Sequence, residues 1–145
     1  WRMWEKTVEF FRWNRLYNYA GLLGGAMLSA LGGWDLPLRG LVGAMALDYA
    51  SGVIVAIRER TLSSQVGFQG IARKLMIFLI VIISGSLDAL LGEGAVCRTA
   101  AIAFYFTNEA VSLLENAKRI GLPVPEAIVQ RLAQVKGTEK KDEEE

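Results

Sequence analysis

Three carboxylates interrupt the apolar middle of this 145-residue chain, Asp48, Asp88 and Glu109, with one guanidinium, Arg98, between the last two. An ionised carboxylate deep in hydrocarbon costs several kcal/mol unless it is paired or wet, so each of these must have a partner or a water-filled path. Asp48 stands in the middle of its apolar segment, and Glu109 has no obvious partner in its own. Asp48, Glu109 and the adjacent Asn108 are therefore the candidates to line or gate a polar path, with structural hydrogen bonding as the competing role. Asp88 and Arg98 fall at facing ends of two segments, where a local pair is expected. Two aspartates also suggest the proton-sharing dyad of an intramembrane protease. However, Asp48 and Asp88 would lie at different depths, and Gly85-Ser86-Leu87-Asp88 is not the Gly-rich context such a dyad uses. The chain has no His and a single Cys, Cys97, which removes the commonest general base and excludes a disulfide or a multi-Cys metal site. Residues 61–74, TLSSQVGFQGIARK, lack the Gly-Lys-Ser/Thr ending of a phosphate-binding loop and read as a turn between segments. No catalytic residue, metal, cofactor or nucleic-acid partner is expected.

The elements that position these groups follow from segregation. Apolar residues make up 52% of the chain and charged residues 21%, yet the charges cluster at the ends and between long apolar stretches. A soluble helix would instead keep one charged face wet along its length. Four apolar segments result, 17–34, 38–57, 75–91 and 95–114, each about long enough to cross roughly 30 Å of hydrocarbon. Basic residues before, between and after them number 4, 1, 4, 1 and 6, which accounts for all 16. That alternation is what the positive-inside rule requires of four spans with both termini cytoplasmic. The expected fold is an all-α membrane protein with four transmembrane helices over residues 17–115.

Residues 1–16 read as an amphipathic helix lying in the headgroup region, anchored by Trp1, Trp4, Phe11 and Trp13. Residues 116–145 read as a short cytoplasmic helix and a charged tail. Lys118-Arg119 followed by Gly121 and Pro123 marks a helix stop, and Pro125 can open the next helix. Within the spans, Gly21, Gly25, Ser29 and Gly33 recur every four residues, as do Gly40, Ala44, Asp48, Gly52 and Ala56. Helices associate in lipid through close packing of small residues, so both rows are helix-packing faces, within a subunit or between subunits.

Residues 47–74, LDYASGVIVAIRERTLSSQVGFQGIARK, resemble the phage-lysis and toxin-secretion holins, which include clostridial toxin-export proteins. The shared features are Asp48, Gly52, the basic pair Arg58 and Arg60, Ser63-Ser64, Gly67, Gly70 and Arg73-Lys74. A second match, residues 108–128, carries Glu109, Ser112, Glu115, Asn116 and the run from Gly121 to Pro125. The resemblance extends from about residue 41 to 132 and leaves out the aromatic N-terminal segment. It implies a multi-pass protein of the bacterial cytoplasmic membrane, of bacterial or bacteriophage origin, that forms homo-oligomers in the lipid bilayer. Such a protein opens pores or lesions for an endolysin or a secreted protein; a non-lytic oligomeric channel or transporter is the alternative.

Overall fold

A computed structural model describes residues 2–92, 94–132 and 134, with the backbone alone for residues 2–14 and 16. The described residues form helices and connecting turns: α1 (Arg2–Ala30), α2 (Leu36–Arg58), α3 (Ser64–Leu91) and α4 (Val96–Arg119). A short α5 follows from residue 126. The chain divides into two compact units, one up to Trp34 and one from Asp35 onward.

The first unit is α1, one helix of 29 residues and about 43 Å. The helix runs through the boundary expected between residues 16 and 17, because nothing between Trp13 and Tyr19 breaks it; neither Gly nor Pro occurs there. Its apolar part also ends earlier than expected. Gly32 and Gly33 adopt φ of +81° and +97°, and their N–H groups close the helix on Ser29 and Leu28. Gly33 thus belongs to the turn and not to the helical row of Gly21, Gly25 and Ser29. The side chains of the proposed anchors Trp1, Trp4, Phe11 and Trp13 lie outside the described residues, as does the charged tail.

The second unit is α2, α3 and α4, with α4 packed along both of the others. Helix α2 starts where Asp35 accepts a hydrogen bond from the Leu38 N–H at 3.0 Å and Pro37 fills an early position that needs no donor. It ends in a Schellman turn, with the Thr61 N–H on the Ala56 carbonyl and the Arg60 N–H on that of Ile57. The residue in the left-handed conformation there is Arg60, φ +57°, where glycine would be free of strain. Ser63 then caps α3 by accepting from Val66 N–H, so the segment expected as a turn from 61 to 74 is helical from Ser64 on. Capping chemistry overrides the two glycines, Gly67 and Gly70, which serve packing: the Tyr49 ring lies 3.1 Å from where a Cβ on Gly70 would be. Gly121, φ +86°, ends α4 at the expected position.

Helices α2 and α3 are each long and apolar enough to cross a membrane. Most of their outward residues are apolar, from Leu47, Ile54 and Ile57 on α2 to Phe68, Leu79, Ile83 and Leu90 on α3, with Arg39, Arg58, Gln65, Gln69 and Arg73 exposed nearer the helix ends. Apolar surface this continuous is stable against lipid, not against water. Helix α4 is of similar length but less apolar, for a reason that lies in its inward face.

Candidate functional site: a buried charge cluster between three helices

Asp48, Lys74 and Glu109 each stand ten residues from the end where α2 joins α3: before Arg58, after Ser64 and before Arg119. At ~1.5 Å per residue they share one level, about 15 Å from that end. There the Lys74 ammonium bridges Asp48, at 2.8 Å, and Glu109. The Asn116 amide donates to the Asp48 carboxylate at 3.3 Å and to Ser51 Oγ at 3.0 Å, while the Ser51 hydroxyl donates to the Asp48 carbonyl. Glu109 is 5% exposed, and the side chains of Lys74 and Asp48 are 14% and 17% exposed. The cluster therefore holds two carboxylates against one ammonium in a nearly closed setting, where breaking the pairing is costly.

A second cluster lies at the opposite end of these helices. Asp88 accepts from the backbone N–H groups of Cys97 and Arg98 at 2.7 and 2.8 Å, which satisfies donors at the start of α4. The Arg98 guanidinium makes a two-pronged pair with Asp35 at 2.7 and 3.1 Å, its stem passing Gly85. That guanidinium holds the Asp35 carboxyl below the usual carboxylate range against a smaller opposing effect of burial. Asp88 and Arg98 are thus neighbours as expected, through the backbone of Arg98, while its charge reaches Asp35. At the α2–α3 end, Arg119 pairs with Glu59 at 3.1 Å.

Of the sequence-derived candidates, Asp48 and Glu109 come together. Asn108 is half-buried, about 100° around α4 from Glu109, and outside the cluster. The α2 row faces α4: Gly40 lies against the Phe106 ring, Gly52 against the Asn116 amide, and Ala44 and Ala56 are buried. The α1 positions Gly21 and Gly25 have nothing within 4 Å of an added Cβ among the described residues, and Ser29 is exposed. Sequence reasoning named Lys74 and Asn116 only as shared family features, not as partners of Asp48 and Glu109, and passed over Asp35. The Ser63 cap would have revealed Lys74, since a helix starting at Ser64 carries it three turns inward. Asp35 carries the cap signal of an aspartate two residues before a proline.

Along α4 one stripe at steps of four and three faces inward: Arg98, Ile102, Tyr105 and Glu109, then Ser112, Asn116 and Arg119. All but Arg119 are buried or half-buried, and all but Ile102 carry a polar group. This stripe is what keeps α4 below the apolarity of α2 and α3. Its last three residues line a cavity of about 330 Å³, together with Asp48, Lys74 and Arg73.

The bacteriophage holin family model matches residues 25–137. The chain belongs to the bacteriophage holin family. A probable holin of Bacillus phage phi105 is 35% identical over 86 residues, which is 59% of this chain and 61% of that protein. An uncharacterized 14.9 kDa protein of Clostridium perfringens is 34% identical over 132 residues, 90% of this chain and 96% of its own length. An uncharacterized protein of Listeria monocytogenes is 42% identical over 110 residues, covering 74% and 79%. No solved structure matches significantly. Membership makes this holin-family chain a membrane protein of a non-enzymatic family, and its family match begins only within α1.

Proposed function

We propose that the chain is a holin that self-associates in the bacterial cytoplasmic membrane and opens pores or lesions through which an endolysin or a protein cargo leaves. The observation that carries this reading is the family match across residues 25–137, which includes all of α2, α3 and α4. The geometry supports it: a unit with lipid-compatible outer faces stores charged and polar groups inside, the material a water-filled lumen requires. In this reading α1 and α4 join α2 and α3 as spans, both termini are cytoplasmic, and the basic α2–α3 connection faces the cytoplasm. Residues 1–16 then act as the interfacial start of α1, and the open row Gly21, Gly25 and Ser29 is available to another subunit.

Controlled expression in bacteria with a folded cytoplasmic reporter enzyme tests the reading. The expected result is an abrupt loss of viability accompanied by reporter release. Ion flux without reporter release at matched membrane levels would replace the holin reading with that of a small channel.

A further inference from the structure

The α4 stripe is polar at six of its seven positions, yet all but Arg119 are turned inward: Asn116 meets Gly52 and Asp48 on α2, while Glu109 meets Lys74 and Arg98 passes Gly85 on α3. A polar stripe on a helix in lipid must be covered by protein or by water. The other outward faces of this unit offer no substitute, since α2 presents Leu47, Ile54 and Ile57, and α3 presents Phe68, Leu79 and Ile83. An aqueous path built from these three helices has to expose the α4 stripe. The cavity reaches Ser112, Asn116 and Arg119 from the α2–α3 end and extends as far as Asp48 and Lys74. Beyond that level lie Tyr105, half-buried, and Ile102, buried, on the far side of the Lys74 bridge to Asp48 and Glu109.

We infer that the α4 stripe is the lumen-lining face, that the cavity is its wet vestibule, and that the Lys74 bridge to Asp48 and Glu109 is the closure between them. This rests on the holin reading and names the residues that would meet the passing water. Opening parts α4 from α2 and releases Lys74 from at least one carboxylate, so that the freed groups trade protein partners for water.

Thiol labelling tests this residue by residue, because a thiol reacts as its thiolate and stays protonated in hydrocarbon or a dry interface. Cys97 is first replaced by Ser or Ala, whichever variant still releases the reporter. Ile102→Cys, Tyr105→Cys and Ser112→Cys are then placed on the stripe, with Leu79→Cys and Ile83→Cys on the outward face of α3 as controls. Membrane fragments taken before and after the onset of release are treated with a charged thiol reagent that reaches both faces. Ser112→Cys is expected to react before onset. Ile102→Cys and Tyr105→Cys should react about tenfold faster after onset than before, as expected when an open state goes from rare to dominant. The two α3 controls should not change. Reporter release with positions 102 and 105 still unreactive overturns the inference while leaving the holin reading intact, as does equal labelling of the α3 controls. Failure of the unmodified chain to release the reporter overturns both.

Discussion

Where α3 turns into α4, one arginine faces two aspartates; about midway along the same helices, one lysine faces an aspartate and a glutamate. The ratio of charges is the same and the support is not. Asp88 keeps two backbone N–H donors whatever Arg98 does, and Asp35 keeps the Leu38 N–H and has a side chain 41% exposed. The charges of the Lys74 cluster are held by side chains: one flexible ammonium stem and the Asn116 amide. A charge tied to helix ends is a fixed part of the scaffold. A charge tied by a single long side chain can be let go without unwinding a helix.

Removing each cation separates the two cases. Lys74→Met leaves two buried carboxylates without a counter-charge and should destabilise the detergent-solubilised protein by about 3–5 kcal/mol in denaturant titration. Adding Asp48→Asn and Glu109→Gln should recover most of that, since the leftover charges are gone. A loss for Lys74→Met as small as that of a surface change would mean water already compensates the cluster. Arg98→Met should cost less, about 1–3 kcal/mol, because backbone donors still serve both aspartates. If the order of the two variants is reversed, the contrast between fixed and releasable charge is wrong.

The smallest effect concerns pH at the arginine cluster. Arg98 lowers the folded-state pKa of Asp35 below the ordinary 3.8, so the folded protein takes up that proton less readily than the unfolded chain. The contribution of Asp35 is therefore complete above 3.8 and fades as the pH falls through the lower folded value. Thermal unfolding of the wild type against Asp35→Asn should show a constant difference from about pH 7 down to about pH 5, shrinking only in stronger acid. A difference that shrinks already near neutrality would point to another group.

The helical class, α2 and the stop of α4 were legible because apolar length and the Lys-Arg-Ile-Gly-Leu-Pro ending are local signals. Asp48 and Glu109 stood out because a carboxylate in an apolar run is conspicuous. Lys74 did not, because a basic residue beside Arg73 at the edge of an apolar segment looks like part of a cytoplasmic loop. Only the Ser63 cap, which draws the loop into α3, moves it to the level of Asp48. The α4 stripe was obscured for a related reason: hydropathy averages over a window and loses a polar face that repeats every three or four residues. The expected break after residue 16 rested on charge composition, but a helix continues through a change of composition unless its backbone is interrupted.

The packing order within the second unit bears on how the chain is made. Helices α2 and α3 share little surface with each other beyond the fit of Tyr49 over Gly67 and Gly70 and the Lys74–Asp48 pair, and both are joined through α4. Synthesis runs from the N-terminus, so the ribosome delivers α2 and α3 as a loose hairpin, with Lys74 able to reach Asp48 and with Glu109 not yet made. Helix α4, the last of these three to emerge, supplies Glu109, Ser112 and Asn116 together and completes their packing. A nascent chain halted before Val96 would sit in the membrane as an unfinished hairpin, with one aspartate and one lysine awaiting their third partner.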